Sequence, residues 1–253
     1  MAKYFNHVQF LTNHVLMNEN FQTDLTSTDT GDALAFKGVI FDMDGTLLES
    51  TEADYRAWEK VFNNYNHDLP FEKYAPMLGV KSADVIRNEI GFRDEQDVKR
   101  ILKEKFDYFV EYVNENPIKP VFAAETFLKS LAQYPVRVAL ATSSRKEKMQ
   151  MVLKRLNFLR YFEAIVTGDE VSNGKPAPDI FLLAAKRLGL HPEECMVIED
   201  GPIGVAAAKS ANMKCVAITE THQASQLSAA DLVIDTYEHA DIREIAKKLK
   251  DIS

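Results

Sequence analysis

Cysteine is scarce in this chain: among 253 residues only Cys195 and Cys215 occur, each inside a short apolar run. They offer no disulfide framework and little basis for thiol chemistry, so two buried free thiols in a reducing compartment are expected. Also missing is any apolar segment approaching the roughly 20 residues a bilayer requires. The polar, acidic start lacks the charged-then-apolar plan of a secretory signal, so a soluble cytoplasmic protein with no membrane partner is expected. Basic excess is absent too. Thirty Lys and Arg face 38 Asp and Glu, a formal net charge of -8, which disfavours nucleic acid as a partner. A local basic pocket around a small phosphate stays compatible with that balance. Finally, no GxxxxGK[ST] or GxGxxG loop supports a nucleotide cradle, and no GxSxG elbow supports a serine hydrolase.

What is present is organised around residues 38–50, GVIFDMDGTLLES. Val39, Ile40 and Phe41 are strand formers, and the run then changes into two carboxylates, a glycine and a threonine. In extended backbone Asp42 and Asp44 point to the same side, and Gly45 allows a sharp turn. Unpaired carboxylates at the end of an apolar strand are costly unless a positive charge lies between them.

The chain is 46% hydrophobic and long enough for a core with a smaller companion, and two units are expected. Residues 1–36 read as an N-terminal extension, a short helix or strand followed by a flexible link, in which His7 and His14 have no ligand partners. Residues 51–62, 82–90 and 95–113 show helical periodicity, with Ser82 as an N-cap, Gly91 as a stop and Pro117 and Pro120 beyond the last helix. They place a helical cap domain at 52–118. From 121 onward short β-runs at 136–141, 164–167, 195–199, 215–218 and 232–234 alternate with helical stretches. The expected fold is α/β: a Rossmann-like, mostly parallel sheet core, 37–51 plus 119–253, with the α-helical cap inserted. The carboxylates then belong at the C-terminal edge of the sheet, where such folds bind ligands.

Other strand ends carry complementary groups: Thr142, Ser143 and Ser144 after one, Glu199 and Asp200 at another, and Lys175 in the loop GKPAPD. Together with Asp42 and Asp44 they describe a site for a divalent cation and a phosphate. Mg²⁺ prefers hard oxygen ligands, and Asp42 and Asp200 are the best side-chain candidates. Thr142 and the amides near Asp44 and Ser143 suit phosphoryl oxygens, and Lys175 offsets the crowded charge. Asp42 is placed to attack phosphorus, and Asp44 to protonate the leaving alkoxide and later deprotonate water.

DMDGT at 42–46, TSS at 142–144, GKPAPD at 174–179 and IEDGPIGVAAA at 198–208 resemble the four motifs of the haloacid dehalogenase superfamily. The resemblance spans about 37–249 and is closest to the helical-cap branch of sugar-phosphate phosphatases and β-phosphoglucomutases. It implies Asp42 as nucleophile and Asp44 as acid/base that also lends the metal its backbone carbonyl. It further implies Thr142 and Lys175 on phosphate, Asp200 on Mg²⁺ and Glu199 in support of the metal site. Two departures bear on substrate. Gly201 stands where relatives often carry Ser, and Asp54, Leu78 and Ser82 replace a histidine, a lysine and an arginine of the mutase pattern around Gly79. Asp54, Gly79, Lys81 and Ser82 become candidate cap specificity positions, with Lys81 or Arg87 as substitute cations. These departures favour a phosphatase of a small phosphorylated metabolite, acting as a monomer or small homo-oligomer. The alternatives are a hexose-phosphate mutase and a non-enzymatic phosphate-binding protein.

Overall fold

The computed structural model describes residues 34–251. Residues 1–33 of the N-terminal extension, with the short element and link expected there and His7 and His14, lie outside them.

Six strands form one parallel sheet: β1 (Gly38–Phe41), β2 (Arg137–Thr142), β3 (Ala164–Thr167), β4 (Cys195–Glu199), β5 (Lys214–Ile218) and β6 (Leu232–Ile234), in the order β3-β2-β1-β4-β5-β6. β1 is central because it is apolar on both faces. Val39 and Phe41 enter one core cluster with Phe127, Leu140 and Ile198, while Ile40 enters the other with Phe181, Val197 and Cys215. Helices α5 (Ala124–Leu131), α6 (Lys146–Arg155), α7 (Asp179–Arg187), α8 (Pro202–Ser210) and α9 (Ile242–Asp251) complete the layers. The chain steps from β1 outward through β2 and β3, then returns to β4 on the other side of β1. That reversal opens a crevice at the carboxyl ends of β1, β2 and β4. Cys195 and Cys215 are buried free thiols, and burial pushes the Cys195 thiol up to about 12. Among the described residues no helix is long and apolar enough to cross a membrane.

Between β1 and β2 lie α1 (Thr51–Asn64), α2 (Phe71–Tyr74), α3 (Ser82–Val85) and α4 (Glu95–Glu115). They bury an apolar cluster of their own around Trp58, Val61, Phe62, Tyr74, Ile86 and Ile101. α4 starts at Asp94, whose carboxylate accepts the amides of Gln96 and Asp97 at 2.9 and 3.3 Å.

Element boundaries follow the hydrophobic periodicity to within about two residues, with two differences. Ser82 is the first helical residue, not the cap: the half-in position belongs to Lys81, whose backbone is extended and whose side chain makes no cap bond. The second half of that stretch, Ile86–Ile90, is a π turn that ends at Gly91 with φ +91°. Helix α2 has no counterpart in the sequence reading, since a single turn is too short for periodicity to register.

Candidate active site

The ladder between β1 and β4 extends one residue past the strand, the Asp42 amide donating to Ile198 O at 3.0 Å. This seats Asp42, 6% exposed, beside the end of β4, which carries Glu199 and Asp200. Lys175 sits behind them, 4% exposed, donating to Asp42 Oδ1 at 2.6 Å and Glu199 Oε1 at 2.7 Å. The other Glu199 oxygen accepts the amides of Asp200 and Gly201, both at 2.7 Å. Both Glu199 oxygens are therefore occupied, which suits a supporting role better than direct ligation. A Cβ on Gly204 would fall 1.7 Å from Glu199 Oε1, so only glycine lets this carboxylate fold back over the start of α8.

Asp200 receives hydrogen bonds on both oxygens, from Thr46 Oγ1 to Oδ1 at 2.8 Å and from Thr221 Oγ1 to Oδ2. Gly45, at φ +82°, passes so close that a Cβ there would lie 2.2 Å from Asp200 Oδ2. Asp42, Glu199 and Asp200 can each direct an oxygen to within 4.8 Å of the others. Burial pushes the Asp42 carboxyl up to about 7; Lys175 opposes the rise, while the charges of Glu199 and Asp44 add to it. Asp200 is pushed well above the carboxylate range, first by burial and then by Glu199 and Asp42. Three buried acids sharing one ammonium are electrostatically under-compensated, and an all-oxygen, anionic set of this kind fits a hard divalent cation.

Thr142, at the end of β2, and Ser143 and Ser144 line the same cleft as Asp42, Asp44 and Asp200. Ser143 Oγ is buried without a hydrogen-bond partner, the one such side-chain atom among the described residues. A ligand oxygen would satisfy it. Asp44 is held by three groups: Ser50 Oγ and Lys148 Nζ (2.8 Å) on Oδ1, and Ser144 Oγ (2.6 Å) on Oδ2.

Asp54 lines the cleft as well, but its carboxylate is engaged. Lys105 and Lys148 both donate to Oδ1, the latter at 3.0 Å, and Tyr74 OH donates to Oδ2 at 3.3 Å. Burial alone would raise the Asp54 carboxyl, yet the two ammonium groups outweigh it and hold the carboxyl far below its ordinary range. Burial likewise opposes the charge on Lys148, but Asp44 and Asp54 hold its pKa above the usual lysine range. Lys105 is pulled below that range, burial outweighing Asp54. Gly79 (φ +80°) and Ser82 line the cleft. Lys81 is turned elsewhere: its amine donates to the carbonyls of Val171 (2.7 Å) and Ser172 (3.3 Å), and its stem lies over Gly174. Arg87 pairs with Asp84 and Glu95.

The structure thus gathers Asp42, Asp44, Thr142, Ser143, Lys175, Glu199 and Asp200 at one sheet edge. It adds groups that sequence reasoning missed: Thr46, Ser50, Lys105, Lys148 and Thr221. Thr46 lies within DMDGT and Ser50 precedes α1, so local signals existed for those two. Lys105 and Lys148 look in sequence like solvated helix charges, and nothing in the linear pattern marks them as buried.

Similarity to known proteins accords with this geometry. A family model described as haloacid dehalogenase-like hydrolase matches residues 39–218. The chain is 36% identical over 183 residues to the phosphorylated carbohydrates phosphatase of Thermotoga maritima, covering 70% of this chain and 82% of that protein. It is 30% identical to the fructose-1-phosphate phosphatase of Escherichia coli over 182 residues, 72% of this chain and 95% of that one. Among solved structures, the β-phosphoglucomutase of Clostridium difficile matches at TM-score 0.77 and 25% identity, covering 85% of this chain and 98% of that chain.

Proposed function

The chain belongs to the haloacid dehalogenase-like hydrolase family, and from that premise we propose that it is a Mg²⁺-dependent phosphatase of a small phosphorylated metabolite, a sugar phosphate, working through an aspartyl-phosphate on Asp42. The observation that carries this reading is the buried Asp42, Lys175, Glu199 and Asp200 constellation beside a cleft holding the unpartnered Ser143 hydroxyl. The carboxylates of Asp42 and Asp200 and the backbone carbonyl of Asp44 would hold Mg²⁺, with Glu199 in support. Bound there, the ion supplies Lewis-acid polarisation of a phosphoryl oxygen and screens the repulsion between nucleophile and phosphate.

Thr142, Ser143 and the neighbouring amides bind the phosphoryl oxygens, and Lys175 holds Asp42 in place and opposes the rise in its pKa that burial causes. An Asp42 oxygen bonds to phosphorus as the ester P–O bond breaks, and Asp44, as general acid, passes a proton to the departing alkoxide. Asp44 then takes a proton from the water that attacks phosphorus, which restores the Asp42 carboxylate and releases phosphate. Ser50, Ser144 and Lys148 fix the Asp44 carboxyl for both transfers. Residues 52–118 act as a cap on the core formed by 37–51 and 119–253, and Asp54, Gly79 and Ser82 face the leaving group.

The likeness to a β-phosphoglucomutase makes a hexose-phosphate mutase the second reading. Against it, the nearby cations are engaged: Lys105 and Lys148 on Asp54, Lys81 on Val171 and Ser172, and Arg87 on Asp84 and Glu95. A second phosphate would have to displace one of these pairs. A panel of sugar monophosphates assayed for phosphate release with Mg²⁺ and with chelator tests the proposal. Release with Mg²⁺ that chelator and Asp42→Asn both abolish supports it; isomer interconversion outpacing release would favour the mutase, and neither activity would overturn both.

A further inference from the structure

The loop after β5 makes an arrangement with Asp200 that the phosphatase reading does not use. Thr221 Oγ1 bonds Asp200 Oδ2 and lies 3.2 Å from the Asp200 carbonyl oxygen. His222 Nδ1 lies 2.8 Å from Thr221 Oγ1 and 3.1 Å from that same carbonyl oxygen. A carbonyl oxygen can only accept, so Nδ1 must carry the ring proton and donate. Nδ1 shares that one N–H between the carbonyl oxygen and Thr221 Oγ1, which accepts from it and commits its own single proton to Asp200 Oδ2. With Thr46 on Oδ1, the carboxylate is fixed at both oxygens. Gly201, next to Asp200, has no side chain to share in this, and the space a Cβ would take is 3.7 Å from the His222 ring. On the other side, the Thr221 methyl packs against Gly45, at 2.7 Å from where a Cβ would sit.

We infer that Thr221 and His222 are positioning residues for the divalent cation: a directed donor chain, His222 to Thr221 to Asp200, sets the orientation of a carboxylate that the proposed function assigns to the metal. The inference rests on that assignment. Such partners of a ligating carboxylate commonly govern metal affinity by about 10- to 100-fold.

The test measures Mg²⁺ binding directly, by titration calorimetry on the full chain, with no substrate. Thr221→Val keeps the methyl packing and removes the hydroxyl, and it should weaken Mg²⁺ binding about tenfold or more, whereas Thr221→Ser should stay within about threefold of the parent. His222→Asn places an amide N–H near the Nδ1 position and should bind Mg²⁺ nearly as the parent does, while His222→Phe should bind it more weakly. Melting in chelator serves as the control, and the four variants should unfold close to the parent there. Where Thr221→Val is too unstable to titrate, the His222→Asn and His222→Phe pair carries the comparison. If the parent binds Mg²⁺ and both Thr221→Val and His222→Phe bind it equally well, the positioning role is overturned while the metal site stands. If the parent itself binds no Mg²⁺, the metal assignment falls, and this inference with it.

Discussion

The strongest quantitative consequence of the proposed Mg²⁺ site is that an ion held by this buried acid cluster must compete with protons. Asp42 moves from an ordinary 3.8 to about 7, and Asp200 moves in the same direction, because burial penalises their charged forms and, among the described residues, Lys175 is the sole ammonium bonded to the cluster. At pH 6 the metal-free Asp42 is then about nine-tenths protonated, so Mg²⁺ affinity should be about tenfold weaker at pH 6 than at pH 8. The Asp42 proton alone should bring the loss to about 100-fold at pH 5. Calorimetry at pH 6 in two buffers of different ionisation enthalpy should show release of at least about one proton per Mg²⁺, and fewer protons at pH 8. The same carboxyl has a definite effect on stability. Its folded value lies above its unfolded one, so its stabilising contribution is complete below about pH 4 and is lost as pH rises through about 7. The gap from 3.8 to about 7 corresponds to about 4 kcal/mol, a loss that Mg²⁺ offsets when it takes the proton's place. Equal Mg²⁺ affinity at pH 6 and pH 8, with no proton released at pH 6, would refute this account of the cluster.

In a single turnover, Asp44→Asn should slow leaving-group release from an alkyl phosphate by about 10²- to 10⁴-fold but from p-nitrophenyl phosphate much less, since that leaving group needs little protonation; equal effects on this first step would reject the acid role, while the later attack of water should slow alike for both substrates. Lys148→Met leaves Asp54 paired with Lys105 alone and leaves Asp44 with only the Ser50 and Ser144 hydroxyls, so denaturant unfolding should show a loss of about 2–4 kcal/mol. Adding Asp54→Asn should recover part of that loss, because the buried charge goes too; strict additivity would argue against coupling. Gly204→Ala drives a methyl into Glu199 Oε1 and should weaken Mg²⁺ binding while lowering stability by about 2–4 kcal/mol, measurable by calorimetry and melting.

Much of the architecture is legible in the sequence because it rests on local patterns. The apolar run at 39–41, the alternation from β2 onward and the 3.6-residue period of α4 each report burial of one segment against its surroundings, and the folded chain obeys them. The Ser82 cap went the other way, since a capping preference of about 1 kcal/mol yields when packing makes Lys81 the half-in residue. Lys81 is the sharper lesson. As a lone cation beside Gly79 it reads as a ligand for substrate, yet its amine is satisfied by two backbone carbonyls some ninety positions away.

By itself the sequence determined which groups share a site: two acids on one strand end, a hydroxyl run on another, an acid pair on a third and a lysine loop belong to one sheet edge, because parallel strands present their carboxyl ends together. Tertiary structure alone decided which oxygens are already occupied. Glu199 is saturated by Lys175 and two amides, Asp54 lies between two buried lysines, Ser143 Oγ is left without a partner, and Asp200 is oriented by Thr221 and His222. The physical reason is range. Periodicity records whether a residue is buried, which its own element settles, whereas partnership between buried charges depends on how elements distant in sequence pack together.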